Sequence, residues 1–132
     1  MTGVQTCALP IFTEGWCGDA AQIVPVLEAV AQASAGQIST HYVLRDENPD
    51  LMDQYLTQGG RSIPKLVVLH ADTLTEAAHW GPRPDPAQQM FLDLKSQDLP
   101  FEEFATQLHG WYAKDKTQST QRELLALVQQ LA

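Results

Sequence analysis

Residues 12–25 read FTEGWCGDAAQIVP, a cysteine set where a glycine turn gives way to a helix. Leu9 to Thr13 can form a short strand, Gly15 supplies the turn, and a helix is expected from about Cys17 to Asp19 onward. Ala20, Ile23, Val24, Leu27, Val30 and Ala31 recur at spacings of three and four, which puts them on one buried helical face. Pro25 lies inside that pattern and removes one backbone hydrogen bond, so a kink is expected there. Gly36 ends the helix. The cysteine has no thiol partner three residues later, because Ala20 stands there.

Outward from this stretch, Ile38 to Leu44 (ISTHYVL) is a second strand. Pro49 opens a short helix through Thr57, with Leu51 and Tyr55, and then Met52 and Leu56, as its core-facing residues; Gly59 and Gly60 stop it. Ile63 to Leu69 (IPKLVVL) has four consecutive apolar residues after Lys65, the pattern of a central strand covered on both faces. Pro64 cannot donate to a ladder and must stand at that strand's beginning or edge. After a turn at 71–73, Leu74 to Trp80 forms an antiparallel partner. Asp85, Pro86 and Gln88 match an N-cap, a proline at the first helical position and a capping-box glutamine, for a helix to about Lys95. Pro100 opens another helix, with Phe101, Phe104, Ala105, Leu108, Trp111 and Tyr112 as its apolar stripe. Leu124, Leu125, Val128 and Leu131 form a last stripe, and the polar run at 114–120 leaves open whether the two stripes share one helix. Helices between the early strands imply parallel crossovers, and the short link at 71–73 implies a hairpin.

The chain of 132 residues suits one domain, and 44% apolar residues suffice for a core. A formal charge of −8 disfavours a non-specific nucleic-acid surface, and no apolar run is long enough for a membrane span. Cys7 and Cys17 are too few for a disulfide framework, and residues 2–11 lack the basic and apolar regions of a secretion signal. A cytoplasmic location is the default expectation. TGVQTCALPI at 2–11 resembles the translation of a common sequencing adapter, so residues 1–11 are expected to be a foreign leader and 12–132 the domain.

Three stretches together resemble the thioredoxin family. WCGDA at 16–20 resembles its Trp-Cys-x-x-Cys loop, with Pro25 eight residues beyond the cysteine. Ser62-Ile63-Pro64 resembles its cis-proline loop, and Trp80-Gly81-Pro82 its hairpin exit. The likeness covers about residues 12–95 and implies an α/β, three-layer sandwich with a small mixed sheet. It further implies that an N-terminal strand and helix are missing and that residues 96–132 are a helical extension. Two family features do not carry over: the second cysteine falls at Ala20, and no acidic residue occupies the stretch just before Phe12.

The resemblance makes Cys17 the candidate catalytic thiol. Trp16, Ile63, Pro64, Arg61 and Arg83 are the candidate substrate-binding residues, the two arginines as carboxylate receivers. A helix N-terminus attracts a thiolate while Asp19 repels it, so the net sign is left open. Without a resolving thiol, a mixed disulfide at Cys17 would persist until an external thiol such as glutathione removed it. Cys7 should lie at the far end of the first strand. The expected function is single-thiol exchange or deglutathionylation with protein thiols, disulfides or glutathione, with glutathione as co-substrate and no bound cofactor or metal. A non-catalytic binding module of the same fold is the alternative. His41, His70, His79 and His109 are too dispersed for a metal-ligand spacing, and Gly59-Gly60-Arg61-Ser62 lacks the phosphate-loop pattern.

Overall fold

Four strands form one mixed sheet: β1 (Cys7–Thr13), β2 (Ile38–Leu44), β3 (Lys65–His70) and β4 (Glu76–Trp80), in the spatial order β2-β1-β3-β4. The computed structural model describes residues 6–131, so residues 1–5 of the expected leader lie outside the described residues. Two compact units result, one reaching to Pro82 and the other spanning Arg83–Gln130.

In the first unit, β1 and β2 are parallel and joined by helix α1 (Gly18–Ala33), the crossover that parallel strands require. Strand β3 runs antiparallel to β1, against the expectation of a second parallel crossover. The reason lies in helix α2, which spans only Pro49–Met52 instead of reaching Thr57. A single helical turn does not carry the chain back across the sheet, so β3 starts at the end where β2 stopped. The hairpin β3–β4 is antiparallel as read, although β4 begins at Glu76 and Leu74 sits at φ 59 in the turn.

Register assigns the layers. Ile11 is opposite Tyr42 on β2 and Leu66 on β3, and Tyr42 reaches Glu28 of α1, so this is the face that α1 covers. Phe12 is opposite Val43 and points to the other face, where it packs with Met52, Ile63, Val67 and Tyr55. Ile11 and Phe12 are both fully buried, which places β1 at the centre of the sandwich. Burying each such side chain contributes about 1.5–3 kcal/mol. Residues 7–11 thus lie in the middle of the sheet and not along an edge. Within α2, Met52 faces the core, whereas Leu51, about 100° round the helix from it, and Leu56, beyond the helix end, are exposed.

The second unit holds α3 (Asp85–Ser96), α4 (Phe101–Asp115) and α5 (Gln118–Leu131). Helix α3 begins at Asp85 itself, with Pro84 at the cap and no side-chain capping bond. Gln88 does not close a capping box; its side-chain oxygen accepts from Arg83 instead, at 2.8 Å. Phe91 and Phe104 meet edge to face at 5.4 Å between α3 and α4. Of the α4 stripe, Leu108 and Tyr112 are buried while Phe101, at the first helical position, is 81% exposed. Lys116 and Thr117, both at positive φ, end α4 in a left-handed turn, so the C-terminal stripes belong to two helices.

Candidate functional site

Parallel pairing of β1 with β2 and antiparallel pairing with β3 bring four chain segments to one end of the sheet. Thr13 is paired with Leu44, Phe12 with Lys65, and Leu66 with Trp80. The residues that follow or precede these are 14–17, Arg45, 61–64 and Gly81. Cys7, paired with Ile38 and His70, begins β1 at the opposite end. Seven residues of strand separate the two ends by roughly 20 Å. Cys7 therefore stands far from Cys17, and both thiols are free.

Cys17 caps α1. Its backbone is extended (φ −80, ψ 120), and its Sγ accepts the N–H of Ala20 at 3.4 Å, the place a serine or threonine oxygen usually fills. The same sulfur donates toward the carbonyl of Ile63 at 3.5 Å. The thiol is partly buried and rests on the cluster of Phe12, Met52, Ile63 and Val67. Ala20, at the position where a second thiol would stand, is buried beside it.

The Ile63–Pro64 peptide is cis, as is Gly81–Pro82. Gly81 backs the loop closely: a Cβ on it would lie 2.5 Å from the Pro64 carbonyl oxygen, and its φ of 115 is open only to glycine. Lys65, directly after Pro64, is buried; its ammonium donates to the Gly81 carbonyl at 3.0 Å and toward Thr57 at 3.4 Å. Burial pushes its pKa below the ordinary lysine value. This lysine ties the Pro64 loop to the chain on both sides.

Trp16 is 64% exposed beside the thiol. The guanidinium of Arg45 lies 4.8 Å over its ring, bonds Asp46 at 3.0 Å through Nε, and donates through Nη1 to the Arg61 carbonyl at 3.1 Å. Arg61 itself holds Asp53 with two bonds of 2.7 and 2.9 Å, which keeps that carboxyl below the usual aspartate range. The Arg61 fork is thus directed at a carboxylate of this chain. Arg83 opens the second unit, where it bonds Gln88 and stacks 3.8 Å over Phe91.

Trp16, Cys17, Ile63 and Pro64 are therefore brought together, with Arg61 at the margin. Arg45 and Lys65 are additional members that the sequence reading passed over. For Arg45 the only available signal was its place directly after a strand parallel to β1. For Lys65 it was a lysine at the head of an otherwise apolar run.

A family model described as Thioredoxin matches residues 4–99. Thioredoxin 1 of Nostoc sp. is 40% identical over 57 residues, which are 43% of this chain and 50% of that protein. The thioredoxin of Acidithiobacillus ferridurans is 34% identical over 82 residues, 62% of this chain and 72% of that one. The chain thus spans about half the length of the cyanobacterial thioredoxins it matches. A crystal structure of a protein of unknown function from Pseudomonas aeruginosa has the same fold, with a TM-score of 0.66 at 19% identity over 97% of this chain and 68% of that one. With the family model covering most of its length and the mixed α/β sheet arranged accordingly, the chain belongs to the thioredoxin family.

Proposed function

We propose that the protein carries out single-thiol exchange through Cys17, with protein disulfides or glutathione mixed disulfides as substrates. The observation that carries this reading is the position of Sγ, against the Ile63 carbonyl at the entrance to Pro64 and with alanine where a resolving thiol would be. The Cys17 sulfur, having lost its proton to water, attacks one sulfur of a disulfide. A new disulfide forms to Cys17 and the other substrate sulfur leaves as a thiolate. An external thiolate, of which glutathione is the abundant kind, then attacks the substrate sulfur and releases Cys17. No net electrons are gained by the protein, so no bound cofactor is required. Loss of the thiol proton also frees the Ile63 carbonyl, which then accepts an N–H from an extended substrate segment lying along Ile63 and Pro64. Trp16 offers that segment an exposed aromatic wall. A cytoplasmic location, where glutathione is plentiful, accords with this chemistry.

One observation favours a second reading. The sulfur already serves as a helix cap with both of its hydrogen bonds satisfied within the chain, as a structural cysteine would. In that case the fold is a binding module that needs no exchange. Incubation with a glutathionylated peptide separates the two. The first reading requires release of the peptide thiol at a rate that rises with glutathione and vanishes in Cys17→Ser. Capture of partners undiminished in Cys17→Ser, together with no peptide release by wild type, would establish the second. Serine caps a helix well, so the variant leaves the fold intact.

A further inference from the structure

We propose that Arg45 is a positioning residue: it braces the Trp16 indole against the Arg61–Pro64 segment and so presets the wall that a substrate meets on reaching Cys17. The inference rests on the exchange reading above for its substrate, and on three independent contacts for its geometry.

First, the guanidinium lies 4.8 Å over the indole ring, a distance at which cation and aromatic face attract. Second, Nη1 donates to the Arg61 carbonyl at 3.1 Å, two residues before the Ile63 whose carbonyl meets Sγ. Third, the plane is turned by Nε bonding Asp46 at 3.0 Å, while the backbone N–H of Asp46 donates to Glu14 at 3.0 Å. Glu14 and Trp16 lie on the same turn, so one side chain links both banks of the thiol's mouth. The two banks come from segments with no helix or strand to stiffen them, at 14–17 and 61–64. An indole 64% exposed has little packing of its own to hold it.

The arginine is suited to this for a geometric reason. Its planar fork stacks and donates in the same plane, while a lysine ammonium carries the charge but cannot satisfy ring, carbonyl and carboxylate together. Arg45 touches none of the reacting atoms, so its effect should fall on substrate affinity and not on the intrinsic chemistry of the thiol.

The test compares wild type with Arg45→Ala and Arg45→Lys in three measurements. These are the KM and kcat for exchange with a glutathionylated peptide, the rate of Cys17 alkylation by iodoacetamide, and the indole N–H resonance of Trp16, assigned from Trp16→Phe. The brace predicts for Arg45→Ala a rise in KM of about three- to tenfold, from loss of the stacking on Trp16 and of the hydrogen bond to the Arg61 carbonyl. With it go a kcat and an alkylation rate within twofold of wild type, and a shifted and broadened Trp16 resonance. Arg45→Lys should recover only part of the KM. An unchanged KM in Arg45→Ala, full recovery by lysine, or an unmoved Trp16 resonance would each overturn the brace. If wild type exchanges nothing, the functional reading falls and the resonance alone judges the contact: unmoved, it overturns the brace; shifted, it upholds it.

Discussion

Cys17 Sγ lies 3.5 Å from the carbonyl oxygen of Ile63, a residue 46 positions further along the chain. The contact follows from strand direction. Strand β1 ends, and β3 begins, at the same end of the sheet, so the turn after one meets the loop before the other. A change that moves the Ile63 carbonyl therefore acts on the thiol.

A thiol restored at position 20 should make the site bifunctional. Ala20 follows Cys17 by three residues in the first helical turn, and its N–H already points at Sγ. That spacing suits the Cα separation of about 4.4–6.8 Å that disulfides adopt. Ala20→Cys is expected to gain dithiothreitol-dependent insulin reduction that wild type lacks. In its oxidised form it should lose Cys17 alkylation. A folded variant without either change would show that the inherited backbone does not place the second sulfur.

Gly81→Ala should damage both stability and site. The added methyl would meet the Pro64 carbonyl at 2.5 Å, on a backbone whose φ of 115 side chains rarely adopt. Strain of about 1–3 kcal/mol is expected from the conformation alone. The loop carrying Ile63 has to move to relieve the clash. Urea denaturation measures the first effect, and the rate of Cys17 alkylation should shift with the second.

Neighbouring residues of α2 should differ sharply on truncation. Met52 is fully buried against Phe12, Ile63 and Val67, so Met52→Ala is expected to cost about 2–5 kcal/mol. Leu51→Ala, on the exposed side, should change stability by about 0.5 kcal/mol or less. Equal losses in the two variants would contradict this orientation of α2, with Met52 inward and Leu51 outward.

One cluster, Glu28 with Thr40 and Tyr42, should contribute to the loss of stability at both ends of the pH range. Thr40 and Tyr42 donate to Glu28, and these two bonds hold its carboxyl below the usual glutamate range. Its contribution is complete above the unfolded value of 4.5 and is lost as pH drops through the depressed folded value. Tyr42 is pushed up to about 12, first by burial and then by the hydrogen bond and charge of Glu28. Its contribution is complete below 10.0 and is lost as pH climbs from there through about 12. Melting curves of Tyr42→Phe across pH should show a smaller loss above 10.0 than wild type, what remains coming from Tyr55, which burial also raises, and a smaller loss in acid, since one donor to Glu28 remains.

Local chemistry was enough to read β2 and the buried run of β3, whose bounds lie close to those expected, and to mark Cys17 as the turn-to-helix boundary. A four-residue apolar run and a glycine turn are properties of neighbours in the chain, and neighbours suffice to express them. What faces what was a different matter. Met52 and Leu51 are both apolar neighbours on the same short turn, and only the way α2 lies against the Phe12 cluster buried one and left the other exposed. The direction of β3 depended on that same short turn. Arg45 carries no local pattern at all; its place over Trp16 exists because two parallel strands end side by side. Arg61 shows the same limit, since the carboxylate it holds is Asp53 of its own chain. The sequence by itself determined where most of the elements lie and that Cys17 stands at the start of a helix, because hydrogen bonding and helix capping act over a few residues. Tertiary structure alone decided which side chains surround that thiol, because those contacts join segments that only strand pairing brings together.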